Sequence, residues 1–474
     1  MTYRSVDDAV IGRLQALLGA DAVFSDEDNL ERYSRDETTE LSGRPEVVVK
    51  PENTEGVSLV MRLADELVVP VTARSGGTGV TGGAVASMGG IVLSFERMNT
   101  IIEVDADNLM AVVQPGVITG VLARAAAADG LMYPPDPASI DSCCIGGNVS
   151  ESAGGPSAVK YGTTKDYVTG LEVVFADGSL SRLGGKVVKN ATGYNLIGLM
   201  IGSEGTLGLF TEITVRLIPM PAFTMDLLVP FDDLFCAARA ASDIIRARVV
   251  PATIEFIQRE ATEMAERFLQ KKVPFADAGA QLLIRLDGDD RNDVERQMER
   301  LWEAASAHGA QDIITADSTA TSDRLWEARR CLREAIVAES EAKEGEDVVV
   351  PRKEIPPFVA GAKDLLDGLG LSSIFFGHIG DGNVHVEIIK GRMSADEWKR
   401  ALPAAREGLY RLAARMGGLL TGEHGIGSIR REYLPISLDA AQMDVMRRIK
   451  TTLDPKNILN PKKIFPEIDP SPEK

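Results

Sequence analysis

The sequence predicts an α+β protein of two or three domains, and three observations carry that expectation. At 474 residues the chain exceeds what one hydrophobic core can organise. Its first half interrupts short strands with two glycine-rich stretches, residues 75–90 and 133–162, long enough to be binding loops. From Met225 the texture changes: strands at 226–230, 253–257 and 281–286 alternate with helices at 232–248, 260–270 and 291–307. That alternation predicts an antiparallel sheet with its helices on one face. Pro219 and Pro221 mark the boundary between the two textures.

Each element has a local reason. An amphipathic helix over 6–20 leads into a polar stretch that ends at Arg44. A strand at 46–50, a helix at 54–67 and a strand at 68–73 read as a β-α-β unit, the helix carrying Val57, Val60, Met61 and Ala64 on one face. Strands follow at 91–95, 101–104 and 111–113, then a helix over 117–129 stopped by Gly130. Asp177-Gly178 turns a hairpin between 168–175 and 180–183. Further on, a long helix over 321–342 precedes Asp347–Val350. Ser394-Ala395-Asp396-Glu397 is a capping box that opens a helix running to Met416.

Composition excludes several classes. A formal charge of −19 lacks the basic surface that nucleic acid or an anionic membrane requires, so neither is expected as a partner. No apolar run approaches the roughly 18 residues of a transmembrane span. The stretch Met1–Asp8 has no apolar signal-peptide core, so a cytoplasmic chain is expected, or one peripheral at the inner membrane through a partner. Cys143, Cys144, Cys236 and Cys331 show no C-x-x-C spacing. They imply reduced thiols and no iron–sulfur cluster of the chain's own.

Only four histidines occur, and three of them are His378, His385 and His424. His378 ends one apolar run and His385 opens another, with the turn signal Asp381-Gly382 between them. Pairing Ile379 with Val384 would make the two histidines direct cross-strand neighbours, their Cβ atoms about 5 Å apart. Two imidazoles so placed can share a divalent metal, and Glu423 would complete three ligands and leave a position open. The alternative is two buried histidines bonded to backbone carbonyls. Nearer the start, Gly77-Thr78-Gly79-Val80-Thr81-Gly82 spells G-x-G-x-x-G after a strand. The helix that a dinucleotide fold needs next does not follow, because Gly83–Gly90 is short and glycine-rich. A non-helical nest of backbone N–H groups around a pyrophosphate suits it better.

These stretches together resemble the vanillyl-alcohol oxidase / p-cresol methylhydroxylase flavoproteins. Arg74-Ser75-Gly76-Gly77-Thr78-Gly79-Val80-Thr81-Gly82-Gly83 resembles their pyrophosphate loop. Pro134-Pro135-Asp136-Pro137-Ala138-Ser139, Ile145-Gly146-Gly147-Asn148 and Ala153-Gly154-Gly155-Pro156 resemble their second FAD loop. Lys160-Tyr161-Gly162, Ile201–Gly208 and Asn457–Pro461 fit the same family. The match spans about residues 45–466. It is most similar to the branch of the glycolate oxidase D subunit, FAD-linked D-lactate dehydrogenases and D-2-hydroxyglutarate dehydrogenase.

The resemblance implies a two-lobed FAD-binding domain of the p-cresol methylhydroxylase type over 1–221 and an α+β antiparallel-sheet cap over 222–424. A segment at 425–474 would return to the FAD domain. It implies FAD held by Arg74, Ser75, Gly76, Gly77, Thr78, Gly79, Gly82 and Gly83 from the first loop. Pro135, Asp136, Ser139, Gly146, Gly147, Asn148, Ser152, Gly154, Gly155, Tyr161 and Gly162 would contribute from the second, and Glu204, Gly205 and Asn460 from beyond it. The flavin is expected to be non-covalent, since the first histidine, His308, lies beyond the FAD half. His378, His385 and Glu423 are implied as ligands of a divalent metal, zinc in the first place and manganese or iron otherwise. His424 would lie next to the substrate. Ser152, Cys144, Asn195 and Lys462 depart from the residues usual in the branch. Glu387 stands where D-2-hydroxyglutarate dehydrogenases carry Asn, and their substrate lysine has no match near Gly345, which argues against that substrate.

Oxidising a 2-hydroxy acid requires removal of the hydroxyl proton and delivery of a hydride to the flavin. His424 is the expected base, because imidazole titrates near neutral pH. Arg352 and Arg329 are the expected grips on the substrate carboxylate, since a guanidinium fork suits a carboxylate. The expected substrate is a small acid of the D-lactate or glycolate type. The acceptor would be a quinone, an electron-transfer flavoprotein, an iron–sulfur subunit or dioxygen, and a homodimer is a further expectation. Competing readings are a D-2-hydroxyglutarate-type dehydrogenase, a flavin-binding subunit of a larger oxidase complex, and a non-redox flavoenzyme of the alkyl-glycerone-phosphate synthase type.

Overall fold

Two units make up the chain in a computed structural model, which describes residues 2–38, 41–316, 318–340 and 342–467. Met1–Ala153, Thr163–Met220 and Glu423–Lys474 form the first, and Gly154–Gly162 with Pro221–Gly422 the second. Residues 468–474 of the expected C-terminal segment lie outside the described residues, as does position 341 of the expected helix 321–342.

The first unit opens with α1 (Asp8–Leu18), β1 (Val23–Phe24), α2 (Glu27–Arg32), β2 (Val47–Val49), α3 (Thr54–Leu67), β3 (Val71–Arg74) and β4 (Ile91–Ser94). Asn53 caps α3 by accepting the Gly56 N–H, and Val57, Val60, Met61 and Ala64 are buried, as the periodicity predicts. The sheet order is β1-β2-β4-β3, so β4 lies between the two strands that α3 connects. Next come β5 (Ile101–Asp105), β6 (Met110–Val113), α4 (Thr119–Ala128), β7 (Leu131–Met132), α5 (Ile145–Glu151) and α6 (Ala158–Tyr161). They are followed by β8 (Val168–Val174), β9 (Leu180–Gly184), α7 (Leu196–Met200), β10 (Leu209–Arg216) and β11 (Ile218–Pro219). A second, antiparallel sheet runs β5-β6-β10-β8-β9. The two lobes share a core in which Val174, Ala176 and Leu209 join Val57, Met61 and Leu93. Ile458 and Leu459 enter the same core, and Val71 N–H donates to Ile458 O at 2.7 Å, so the C-terminal segment extends the edge at β3.

The second unit is built on β12 (Phe223–Phe231), β13 (Thr253–Gln258), β14 (Ala280–Gly288), β15 (Ile314–Ala316), β16 (Lys343–Val349), β17 (Ser372–His378) and β18 (Asn383–Ile389). Their order is β15-β12-β14-β13-β17-β18-β16, antiparallel at every pairing. Its helices are α8 (Leu234–Arg246), α9 (Arg259–Leu269), α10 (Arg291–Ser306), α11 (Thr319–Arg330), α12 (Leu332–Glu339), α13 (Ile355–Gly368) and α14 (Ala395–Arg415). They cover both faces rather than one. On one face α9, α11 and α12 pack Met264, Ala328, Leu332 and Ile336 on Ile257, Ile374 and Phe376. On the other, Arg406 of α14 bonds Glu344 and Glu346, whose side chains alternate with that of Asp347 along β16. The reason lies in β17, where Ile374, Phe375 and Phe376 are all buried, so neither face is left to water. The helix expected over 321–342 is two helices broken at Cys331.

Candidate active site and metal centre

β17 and β18 carry the two histidines on the face of the sheet that α9, α11 and α12 cover. Their register pairs His378 with Asn383 and Phe376 with His385, not Ile379 with Val384. The turn therefore spans residues 379–382, and the N–H groups of Asp381 and Gly382 both reach His378 O, at 3.3 and 3.2 Å. A slip of two residues leaves every side chain on its face. The imidazoles still meet on the diagonal, their centroids 5.1 Å apart and their planes at 88°. Their Nε2 atoms are 3.4 Å apart. Two nitrogens at that spacing, each at a zinc–nitrogen length of about 2.1 Å, subtend about 108° at a shared ion, close to tetrahedral.

Glu255 and Asp347, which the sequence reading missed, and Arg329, which it named, hold this pair in place. Glu255 lies opposite His378 on β13, is fully buried, and bonds His378 Nδ1. Arg329 of α11 brings Nε and Nη2 to Glu255 Oε2, both at 2.8 Å, and its guanidinium lies over Phe376, 4.7 Å from the ring centroid. Burial alone would raise the Glu255 pKa, but the His378 imidazole and the Arg329 guanidinium outweigh it and hold the carboxyl at about 2. Asp347 on β16 lies opposite His385 on β18, and each offers a ligand atom within 4.8 Å of the other. Its oxygens accept Asn383 Nδ2, Thr421 Oγ1 (2.7 Å) and Gly422 N–H (2.9 Å). The chain thus leaves this unit beside Asp347, and Glu423 and His424 are its next two residues. Glu387, two residues past His385 on the same face, is paired with Lys343 at 2.9 Å. A lysine does therefore stand near Gly345, but it is engaged. Arg352 is exposed in the helical turn Arg352–Glu354 against α8, and makes none of the contacts that join Arg329 to the histidines.

In the first unit, Glu423 and His424 have ligand atoms within 4.8 Å of each other and open a clamped loop. Thr81 donates its hydroxyl to His424 O (3.4 Å) and accepts the Ser428 N–H (2.8 Å). Glu204 accepts the N–H groups of Ile426 and Gly427 at 2.8 and 2.7 Å, and the fully buried Arg430 donates to Gly425 O at 3.1 Å. Burial raises the Glu204 pKa against the pull of those N–H bonds. Burial, with the Glu204 charge nearby, drives Glu151 well above the usual carboxylate range.

Thr81 belongs to the first glycine loop, which contains no helix, as the nest reading expects. Arg74 ends β3 and donates to Arg35 O at 2.6 Å; Ser75, Thr78 and Gly83 lie in the loop proper. Gly77 and Gly82 have φ of +69° and +78°, which glycine adopts readily. A Cβ on Gly76 would sit 2.8 Å from Ser142 O, so the two expected FAD loops touch here only because that residue is glycine. A Cβ at Gly79 or Gly147 would meet no protein atom within 4 Å. Open space thus lies over Gly79 of the first loop and over Gly147 in the first turn of α5, and glycine-bordered space of this kind fits phosphate groups. Other expected contacts have framework duties. Asn148 in α5 bonds Thr119, and Gly146 packs on Pro115. Ser152 closes α5 with φ of 55°. Asn460 ties Gly83 O to Glu204 O at 2.9 and 2.8 Å, with Gly205 following at φ of +66°. Pro135, Asp136 and Ser139 lie in the loop before α5. Gly154, Gly155, Tyr161 and Gly162 belong to the second unit, where the Tyr161 hydroxyl bonds Asp287 at 2.5 Å.

Comparison with known proteins agrees with this layout. Residues 45–184 match the FAD binding domain family, and residues 220–464 match the C-terminal domain of FAD linked oxidases. The chain is 40% identical over 433 residues to glycolate oxidase subunit GlcD of Bacillus subtilis, covering 91% of this chain and 92% of that one. It is 37% identical to a D-lactate dehydrogenase of Anaerostipes hadrus, covering 98% of each. A D-2-hydroxyglutarate dehydrogenase of Xanthomonas citri is 34% identical, with 97% of each covered. Among solved structures, p-cresol methylhydroxylase with substrate bound has a similar fold, with a TM-score of 0.79, 20% identity and 96% of each chain covered.

Proposed function

Because this chain belongs to the FAD-linked oxidases and is an FAD-dependent oxidoreductase, we propose that it oxidises a small 2-hydroxy acid of the D-lactate or glycolate type to the 2-oxo acid. The observation that carries the reading is the convergence of His378 and His385, Nε2 to Nε2 at 3.4 Å, on a face that also carries Arg329. FAD, held without a covalent bond by the glycine loops, supplies the hydride acceptor. A divalent ion held by His378, His385 and Glu423, zinc by preference and manganese or iron otherwise, supplies a Lewis acid that favours the ionised hydroxyl.

The remaining work falls to side chains. His424 takes the hydroxyl proton on an imidazole nitrogen, while the Thr81 bond to its carbonyl fixes its backbone. Arg329, steadied by Glu255 and Phe376, is assigned the substrate carboxylate, and Arg352, exposed beside α8, is assigned no contact. Glu387 places a carboxylate two residues from His385 and occupies the nearby Lys343. A second substrate carboxylate would find that lysine already engaged, so a monocarboxylic acid is favoured over a 2-hydroxyglutarate. Electrons leave to a quinone, an electron-transfer flavoprotein, an iron–sulfur subunit or dioxygen. Among the described residues no helix is long and apolar enough to cross a membrane.

The test is a substrate panel with an artificial acceptor dye: D- and L-lactate, glycolate and D-2-hydroxyglutarate. The reading expects kcat/KM at least tenfold higher for a monocarboxylic acid than for D-2-hydroxyglutarate. The reverse order would move the protein to the dicarboxylate dehydrogenases, and activity with none of them would favour a flavin-binding subunit.

A further inference from the structure

We infer that Glu255 is a positioning residue of the histidine centre: its carboxylate keeps the His378 proton on Nδ1 and so turns the His378 Nε2 lone pair toward His385. The geometry stands on its own, and only its consequence for metal binding rests on the function proposed above. An ionised carboxylate can only accept hydrogen bonds, so the ring nitrogen facing it must be the donor. A neutral imidazole that donates from Nδ1 has its acceptor lone pair on Nε2, the atom 3.4 Å from His385 Nε2. Two other features keep the carboxylate in place. Pairing of Glu255 with His378 across β13 and β17 sets the approach, and Arg329 neutralises a charge that is 0% exposed. Arg329, Glu255, His378 and His385 therefore form one continuous line across the sheet face. Its far end is the place where an ion would be held.

A carboxylate behind a ligating histidine fixes the tautomer and raises the basicity of the ligand atom. Its removal typically weakens metal binding 10–100-fold. Glu255→Gln keeps the size of the side chain and removes the charge. Glu255 is not one of the residues expected to hold FAD, and the first glycine loop belongs to the other unit, so FAD content should not change.

Two measurements decide the matter. The first is the Zn²⁺ dissociation constant of the FAD-loaded protein, from competition with a chelator, for wild type and Glu255→Gln. A 10–100-fold weaker constant with unchanged FAD content is expected, and one within twofold of wild type overturns the inference. The second is the ¹⁵N spectrum of histidine-labelled, metal-stripped wild type. With only four histidines, His378→Asn identifies the His378 signals. They should be those of an Nδ1–H tautomer, and an Nε2–H tautomer overturns the inference. The spectrum needs no variant to fold, so it decides alone if Glu255→Gln is unstable. If wild type binds no divalent ion at all, the metal reading falls, while the tautomer still judges Glu255.

Discussion

Arg352 is the first candidate in the sequence and Arg329 the second, yet Arg329 is bonded to a buried glutamate and stacked on Phe376 while Arg352 is exposed. Replacing Arg329 with Met leaves Glu255 buried and uncompensated, which costs about 3–5 kcal/mol. Arg329→Met should therefore lower the melting temperature and raise KM, whereas Arg352→Ala should change KM by less than about twofold. Steady-state kinetics on both variants checks this, and a large KM rise for Arg352→Ala would return the anchoring role to that residue. The histidines separate in a similar way. His378→Ala should lose the metal and keep FAD. His424→Asn should keep both and slow flavin reduction by roughly 10²–10⁴, the usual contribution of a positioned base. Metal analysis with stopped-flow reduction distinguishes them, and loss of metal from His424→Asn instead would reverse the two roles. The histidines were legible because they are rare and sit beside a turn. Glu255 and Asp347 were not, since Glu255 is a lone acid in the stretch Thr253-Ile254-Glu255-Phe256-Ile257 and Asp347 is one of three acids in β16, beside Glu344 and Glu346. Such an acid is either an edge residue or a buried partner, and only the pairing of strands decides which.

At the scale of elements, the hairpin was legible but its register was not. Asp381-Gly382 signals a two-residue turn, yet the loop extends over 379–382 because two N–H groups converge on His378 O. The side-chain period of two preserved the histidine pair through that error. The helix at 319–339 was misread as continuous because both of its pieces are good helix formers, and the break at Cys331 lets both pack on α9. The loop after Gly422 depends on Glu204, which holds two of its N–H groups. Glu204→Ala should raise hydrogen exchange of the amides of residues 425–428, and unchanged protection would show that Thr81 and Arg430 suffice. Glu172 of β8 joins the two lobes by accepting from Thr54 of α3, Arg182 and Thr211. Burial pushes its pKa up, but those bonds outweigh it and hold it below the ordinary value. A carboxylate with a depressed folded-state pKa contributes stability that is full above its unfolded value of about 4.3 and drains away as pH falls through the folded one. The melting temperatures of wild type and Glu172→Gln should therefore differ most at neutral pH and converge in acid. A gap that stays constant with pH would show that Glu172 acts through packing alone.

At the scale of the whole molecule, the cofactor was more legible than the architecture. Glycine loops are local in sequence and announce themselves. The strand orders β1-β2-β4-β3 and β15-β12-β14-β13-β17-β18-β16 depend on long-range pairing that no local pattern records. The FAD half holds no histidine before His308, and His308 bonds Asp243 in the second unit. Acid precipitation should accordingly release yellow FAD into the supernatant, and colour kept in the pellet would point to a cysteinyl or tyrosyl link. The central claim is that a small 2-hydroxy acid reduces the flavin with help from an ion at His378, His385 and Glu423. Anaerobic stopped-flow flavin reduction tests it most directly, with D-lactate or glycolate added to native, metal-stripped and metal-restored protein. The account predicts rapid bleaching of the native flavin, slowing of at least a hundredfold on stripping, and recovery with Zn²⁺ or Mn²⁺. Equal rates in all three preparations, or a flavin that stays oxidised throughout, would contradict it.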